Sequence, residues 1–364
     1  MHHFIFPTQD TWISSGSSTI DGTSFRDQNF GRDQILEVKK FFYNNQFDHQ
    51  TRALVNFEGT DFTNMSQSIV DGTITNPKFY LRLYEAQGNS SLSEEYTLHI
   101  QPISESWTEG TGKFGDRPKN TNGCSWENTS NPLGGSEVNW NTAGGTTLSA
   151  SFSSSTQAFS NESPDINVEV TDIVNSWLGG KNNNYGMLIR FSGSQETDSA
   201  TFGKLKFFSS NTHTVYSPRL EVKWDDSIWS TGSLTELTDE DIVVNVRNMH
   251  PEYKETSKDR IRVYGRERYP ARTFAKQHEG LNVKYLPTSS YYSVKDAQTD
   301  EIIIDFDAYT KLSCDTSGNY FNFWFNGLQP ERFYKFCFKV VQNENTANEN
   351  VRYFDNDDTF KVIR

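Results

Sequence analysis

Two carboxylates flank a tryptophan at a spacing that glycoside hydrolysis could use. Glu105 and Glu109 lie two residues on either side of Trp107, and a carboxyl pair beside an aromatic ring could act on a bound sugar. In an acidic domain, however, carboxylates near strand ends are usually solvated, and that interpretation is favoured here. The sequence therefore predicts no catalytic residue and no enzymatic activity.

The sequence also lacks motifs for metals and cofactors. It has no glycine-rich phosphate loop, no Gly-x-Ser-x-Gly elbow and no His-Glu-x-x-His pair. Its seven histidines are scattered, whereas zinc needs three or four grouped ligands. Asp355-Asn-Asp-Asp358 could hold Ca²⁺, but a hairpin turn before the last strand is the favoured interpretation. We predict no cofactor and no metal site.

A basic segment, Lys254–Lys276, is a candidate interaction surface because its cations outnumber its carboxylates. Arg260 and Arg262 would share one strand face, opposite Ile261 and Val263. Two interpretations stay open: a docking surface for an acidic partner, such as another copy of the chain, and an ordinary charged sheet face. Arginine and tyrosine are enriched in protein interfaces. The candidate interface residues of this segment are Arg260, Arg262, Arg266, Arg268 and Tyr269.

Length and composition exclude several classes of protein. Of the 364 residues, 14% are aromatic, so most of the chain should fold. A net charge of −13 argues against a nucleic-acid protein that depends on general basicity. No apolar run approaches the ~20 residues of a membrane-spanning helix. Because the start lacks a secretory signal pattern, we expect reduced cysteines and synthesis in the cytoplasm.

A step in charge predicts a domain boundary. Residues 241–364 carry 18 basic and 18 acidic side chains, so residues 1–240 account for the whole charge of −13. The polar stretch before this step is typical of a linker. We predict domains at 1–225 and 241–364, joined by a linker at 226–240.

Alternation of apolar and polar residues predicts an all-β protein. In Phe79–Tyr84, for example, Phe79, Leu81 and Leu83 share one face. The spacing of such runs predicts a jelly-roll β-sandwich in the first domain. In the second domain it predicts an immunoglobulin-like or fibronectin-like sandwich, with a tyrosine corner at Leu328-Gln-Pro-Glu-Arg-Phe-Tyr334.

Two segments of the first domain depart from the strand pattern. Thr171–Leu178 predicts a short helix that has a Thr or Asp N-cap and buries Trp177. The polar stretch 108–147 predicts long loops. We expect the aromatic rings of these loops to be exposed and, with Tyr269, to anchor interfaces. These rings belong to Trp107, Trp126 and Trp140.

The first domain carries a series of motifs in a fixed order. They are Phe6-Pro-Thr-Gln-Asp-Thr-Trp-Ile13, Asn29-Phe-Gly31 before Ile35–Val38, Arg52–Phe57, Ile74–Tyr84, Trp107–Gly110, Val168–Trp177, Asn184–Ile189 and Ser217–Val222. This series resembles the DNRLRE-type jelly-roll module, which is related to the carbohydrate-binding modules of secreted and surface proteins. The resemblance implies a binding or scaffolding sandwich without catalysis of its own.

The second domain carries a different series. Its motifs are Tyr291–Asp296, Glu301–Asp307, Lys311–Phe321, Gln329–Lys335 and Asp357–Arg364. They resemble the C-terminal part of structural proteins of T4-like tailed bacteriophages, which implies a component of the neck, tail or baseplate.

From both resemblances we expect a non-enzymatic virion structural protein that is made in the host cytoplasm and acts through assembly contacts. Its expected partners are other virion proteins and copies of itself, without nucleic acid or membrane insertion. The alternative is a glycan-binding module that attaches the particle to its host.

Overall fold

The computed structural model describes residues 1–19, 22–43, 46–88, 92–148, 155–160, 165–238, 240–270 and 282–364. The chain forms two compact units. The N-terminal unit comprises Ile5–Asp71 and Lys78–Glu221, and the C-terminal unit comprises Met1–Phe4, Gly72–Pro77 and Val222–Arg364. Both units are built mainly from β-strands, so the predicted all-β sandwich fold is confirmed.

The elements up to Lys223 are β1 (His2–Ile5), β2 (Gln9–Ser14), β3 (Ile35–Tyr43), β4 (Gln46–Asn56), α1 (Thr60–Val70), β5 (Lys78–Leu83), β6 (Glu85–Gln87), β7 (Glu95–Pro102), β8 (Asn128–Ser130), β9 (Val138–Asn139), β10 (Thr156–Ser160), β11 (Ile166–Glu169), α2 (Thr171–Leu178), β12 (Met187–Phe191), α3 (Gly193–Thr197), β13 (Gly203–Phe208) and β14 (Arg219–Lys223).

The later elements are β15 (Thr235–Glu236), β16 (Ile242–Arg247), β17 (Glu252–Lys254), β18 (Lys258–Glu267), β19 (Lys284–Tyr285), β20 (Ser290–Asp296), β21 (Ile302–Ile304), β22 (Ser313–Asp315), β23 (Gly318–Trp324), β24 (Phe333–Gln342) and β25 (Asn350–Ile363), with short 3₁₀ turns at Ala308–Thr310 and Phe325–Gly327.

Two sheets organise the first part of the chain. One has the order β10-β7-β12-β4-β3-β13-β6, with β2 also paired to β4, and the other has the order β1-β14-β5-β11. The predicted alternation in β5 is confirmed, because Phe79, Leu81 and Leu83 are fully buried. Such alternation commits one face of a strand to the core.

The helices show one success of the sequence pattern, at α2, and several errors, among them the unpredicted α1 and α3. Helix α2 covers the predicted residues and buries Trp177. Its N-cap position is Val170, without a side-chain cap, so the expected Thr or Asp cap is wrong. Helix α1 was not predicted, since its mostly polar residues bury only Met65. Within the described residues, no helix is long and apolar enough to span a membrane.

Two sheets also form the C-terminal unit. Their orders are β15-β19-β18-β23-β22, with β16 paired to β18, and β17-β25-β24-β20-β21. Aromatic rings from both sheets meet in one core, where the Phe321 and Phe336 centroids lie 5.2 Å apart. The stretch 226–240, predicted as a linker, contributes β15 and the buried Leu237 to this unit.

The predicted tyrosine corner is confirmed at the entry to β24. The Tyr334 hydroxyl donates to the Gln329 carbonyl oxygen at 3.1 Å and accepts from the Gln329 amide at 2.8 Å. Two hydrogen bonds from one phenol therefore fix the chain before the strand begins.

We expect Tyr334→Phe to lower the free energy of unfolding of the C-terminal unit by about 1–2 kcal/mol, because it leaves two partly buried backbone groups of Gln329 without this partner. Urea denaturation should show the lower midpoint. Tyr353→Phe is the matched control, because Tyr353 is 65% exposed. Equal midpoints for both variants would contradict a stabilising corner.

Candidate functional site

A surface groove of about 420 Å³ opens on the N-terminal unit. Its lining combines two aromatic rings with cationic and acidic side chains. Concave sites that mix aromatic surface with a few polar groups are typical of ligand-binding sites. The lining residues are Trp12, Arg32, Asp33, Gln34, Ile35, Glu37, Lys113, Phe114 and Lys206.

Stacked aromatic rings support the groove. Trp12 of β2 is almost fully buried and stacks on Phe30, with centroids 3.8 Å apart and planes 10° apart. Phe25 packs edge-on against Phe30 at 6.0 Å. The Phe114 ring lies 6.1 Å from that of Trp12 and is 50% exposed. Phe114 therefore presents apolar ring surface to solvent above a rigid aromatic base.

The loop that carries Phe114 is held by the buried amide of Asn29. Its Nδ2 donates to the carbonyl oxygens of Glu109 and Cys124, both at 2.7 Å. Its Oδ1 accepts from the amides of Gly31 at 3.1 Å and Gly112 at 2.8 Å. A Cβ atom at Gly112 would come within 2.3 Å of the Asn29 carbonyl oxygen, so the close approach requires glycine.

Asp33 joins the aromatic base to the same loop. Its carboxylate accepts from Trp12 Nε1 at 3.0 Å and from the Phe114 amide at 3.1 and 3.2 Å. Burial raises the pKa of Asp33, although these hydrogen bonds act in the opposite direction. The carboxylate thus fixes both rings of the groove.

Cationic groups line the same groove as the exposed ring. The Arg32 side chain is 52% exposed and donates to Asn211 Oδ1 at 3.2 Å. Lys206 donates to Gln87 Oε1 at 2.5 Å, and Lys113 is exposed. Glu37 lies 2.7 Å from Lys204, which neutralises its charge. The groove can therefore donate hydrogen bonds to hydroxyl or carboxylate oxygens of a ligand.

The two carboxylates that suggested hydrolysis have separate partners. Glu105 accepts from the Asn141 amide at 3.2 Å, whereas Glu109 accepts from the Asp10 amide at 3.2 Å and lies 3.8 Å from Arg32. Burial raises the pKa of Glu109. Each carboxylate is thus already engaged by neighbouring groups of the unit.

The three tryptophans expected to be exposed are buried. Trp107, Trp126 and Trp140 are 7%, 6% and 5% exposed and pack with Cys124 and Leu188 in one cluster. The indole nitrogens of Trp107 and Trp140 donate to backbone carbonyl oxygens at 2.8 and 2.9 Å. The expectation of exposed rings is wrong here, because these rings form a core for the long loops.

The candidate residues of the basic segment lie in the C-terminal unit. The expected alternation is confirmed: Ile261 and Val263 are buried, and the Arg260 side chain is 50% exposed. Arg262 pairs with Asp315 at 2.7 Å. Of the other candidates, Arg266 donates to the Glu267 carbonyl oxygen at 3.0 Å, Arg268 pairs with Asp241 at 3.1 Å, and Tyr269 is 79% exposed. Their role in an interface stays a prediction.

The acidic segment considered for Ca²⁺ is not a hairpin turn. Asp355–Asp358 lies within β25 at a register shift opposite β24, so that expectation is wrong. The Asp355 carboxylate forms an ion pair with Lys335 Nζ at 3.0 Å. Among the described residues, no group of three or more His, Cys, Asp or Glu side chains could hold a metal ion.

Comparison with known families supports a binding role for the first part of the chain. Residues 3–131 match the model of carbohydrate-binding module family 96. Of the groove residues, all but Lys206 lie within this match. The N-terminal region is therefore carbohydrate-binding-like, as the resemblance to the DNRLRE-type module implied. A search of curated proteins gave no match, and the likeness of the second domain to phage proteins stays a prediction.

Sequence reasoning missed Phe114 and Asp33 as site residues. Trp12 and Asn29 stood within the motifs of the resemblance, but nothing local marked them as parts of a groove. Phe114 is the one aromatic residue between Trp107 and Trp126, which was the available signal for a ring in the polar loop.

Near the groove, we expect Asp10 to make stability depend on pH. Burial raises the pKa of Asp10 from 3.8 to about 6, against hydrogen bonds from the Ser210 amide and hydroxyl. The folded protein thus binds the proton more tightly than the unfolded chain does. Protonated Asp10 therefore adds to the free energy of unfolding. This stabilisation, about 3 kcal/mol, is fully present below pH 3.8 and is lost as the pH rises through about 6.

Asp10→Asn should remove this loss, since an amide does not ionise. Urea denaturation from pH 4 to pH 7 should show the variant gaining stability relative to the wild type. Asp61→Asn, at an exposed position of α1, controls for the loss of one charge. Parallel pH curves for the wild type and Asp10→Asn would contradict the assignment.

Proposed function

We propose that the N-terminal unit binds carbohydrate in its groove without cleaving it. The observation that carries this proposal is the coincidence of the groove with the match to carbohydrate-binding module family 96. The groove lies on one compact unit and needs no residue of the other.

The chemistry of the groove suits a sugar. The half-exposed Phe114 ring offers a flat apolar surface for the C–H face of a pyranose. Arg32, Lys113 and Lys206 offer donors at its rim, and these would also accept the carboxylate of an acidic sugar. Because Asp33 and Glu37 already have internal partners, the groove supplies more donors than acceptors.

The absence of cleavage is part of this proposal. Hydrolysis requires one carboxyl group to protonate the leaving group and a second carboxylate to act as base or nucleophile. Asp33 accepts from Trp12 and Phe114, and Glu37 pairs with Lys204. Both groove carboxylates therefore support the site itself.

We expect Phe114→Ala to weaken binding to a polysaccharide about tenfold or more, because the exposed ring contact is lost. A polysaccharide array with neutral and acidic polymers would identify the ligand, and isothermal titration would give its Kd. Phe202→Ala is the matched control: Phe202 is 45% exposed and does not line the groove.

Two results would contradict the proposal. One is the absence of binding to every neutral and acidic polymer on the array. The other is an equal loss of affinity in both phenylalanine variants, which would place the sugar elsewhere. Release of reducing ends from a bound polymer would show that the protein is an enzyme instead.

We also propose that the protein is a component of a tailed-phage particle, made in the host cytoplasm. The resemblance of residues 255–364 to phage structural proteins supports this role. A glycan-binding unit carried on a particle would attach it to the host surface, so the two roles are compatible.

Mass spectrometry of purified particles should detect the protein at a fixed copy number if it is a virion component. The contrary result is an infection in which the protein is expressed but is absent from the purified particles. That result would contradict the assignment to the particle, and the proposal of glycan binding would still stand.

A further inference from the structure

A cationic surface covers the outer face of the sheet that contains β16, β18 and β23. Alternate residues of β18 point outward, because Ile261, Val263 and Gly265 between them are buried. We use the term cationic face for the outward cations of two adjacent strands. These are Arg247 of β16 and Lys258, Arg260, Arg262 and Arg266 of β18.

Like charges stand directly opposite each other on this face. The register of β16 and β18 pairs Arg247 with Arg262, and such pairs destabilise a sheet unless they are compensated. Asp315 binds Arg262 through two hydrogen bonds, at 2.7 and 2.8 Å, and lies 3.8 Å from Arg260. One carboxylate therefore serves two guanidinium groups, while Arg247 lies over the uncharged Tyr264 ring at 4.1 Å.

Among the described carboxylates, Asp226 also lies near the face, but it already pairs with the N-terminal ammonium at 3.2 Å. Asp226 accepts from Asn322 Nδ2 at 3.3 Å and interacts with the Lys258 charge. Within the described part of the chain, the hydrogen bonds of Arg266 go to backbone carbonyl oxygens. Among the described residues, the face thus carries more cations than carboxylates, an excess that an anionic ligand would relieve.

Aromatic rings hold the cations in place. Lys258 Nζ lies 4.9 Å from the centre of the Trp324 ring. The guanidinium carbons of Arg260 and Arg262 lie 4.2 and 5.1 Å from the centre of the Tyr320 ring. Because cations already cover these rings, a sugar or a base would have to displace them in order to stack. The face therefore recognises charge rather than ring surface.

We propose that the cationic face binds an acidic segment of a partner protein in an extended conformation. Lys258, Arg260 and Arg262 repeat at every second residue of β18, a spacing of ~6.8 Å. An extended peptide with Asp or Glu at every second position has the same repeat, so its carboxylates can meet Lys258 and Arg260, while Arg262, which Asp315 holds, continues the spacing. The planar guanidinium fork also matches a carboxylate.

Not every cation of the basic segment belongs to the face, and residues 271–276 of the segment lie outside the described residues. Lys254 lies in β17, which belongs to the other sheet of the unit, and it is exposed. Lys254→Glu therefore reverses one charge away from the face and serves as the matched control for R260E, which reverses one charge on the face. Arg262 is left intact in the test, because it is tied to Asp315.

The test measures binding of labelled peptides to the full chain by fluorescence anisotropy. The probes are an alternating Glu-Ser peptide, a peptide of the same composition with its glutamates in one block, and a Gln-Ser peptide. We expect the alternating peptide to bind about tenfold more tightly than the block peptide at low salt. We also expect its affinity to fall steeply in 0.5 M NaCl and the Gln-Ser peptide not to bind.

Charge reversal locates the site. R247E/R260E should weaken binding of the alternating peptide about tenfold or more, R247Q/R260Q should weaken it less, and Lys254→Glu should leave it near the wild-type value. Circular dichroism of the double variants checks that they fold. Phe114→Ala should bind the peptide normally, so failure here and failure of the proposed sugar site are distinguishable.

Three outcomes would overturn the proposal. Equal affinity for the alternating and block peptides would show that the repeat of the face is not recognised. Equal weakening by Lys254→Glu and by R260E alone would show that only net charge matters. Tighter binding of heparin than of any peptide, lost in R247E/R260E, would assign the face to a polyanion other than protein.

Discussion

The groove of the N-terminal unit depends on one buried amide. Asn29 is fully buried, and its side chain makes four hydrogen bonds to backbone groups of segments far apart in the sequence. A buried amide without these partners would be costly, so the four hydrogen bonds together stabilise this part of the unit. The position of Phe114 above the stacked rings follows from this set of bonds.

The C-terminal unit differs from the groove, whose buried amide has all its partners. On the described part of the C-terminal unit, positive charges on a sheet surface lack a matching number of nearby carboxylates. Aromatic packing fills its interior, and the hydrogen bonds of the tyrosine corner pair the backbone groups of Gln329. Its outer sheet face opposes Arg247 to Arg262, and the carboxylate of Asp315 pairs with Arg262 and lies near Arg260. An apolar core can carry such a face because the attraction between cations and rings offsets part of the repulsion.

The sequence predicted what local pattern determines. Alternation in β5, the helix at Thr171–Leu178 and the corner at Tyr334 each depend on residues within one short stretch. The groove depends on Asp33 and Phe114, which are far apart in the chain, and no local pattern joins them. Exposure of the loop tryptophans was misjudged for the same reason: Leu188 and other distant residues cover them.

The hydrogen bonds around Phe114 have a kinetic consequence. The loop is fastened to Gln28, Asn29 and Asp33 by its own backbone groups, so no segment has to become ordered when a ligand arrives. Binding then requires only that the ligand is oriented and that water is released, and the protein loses little conformational entropy. If the groove binds sugar as proposed, a site that is already ordered should capture and release short ligands quickly.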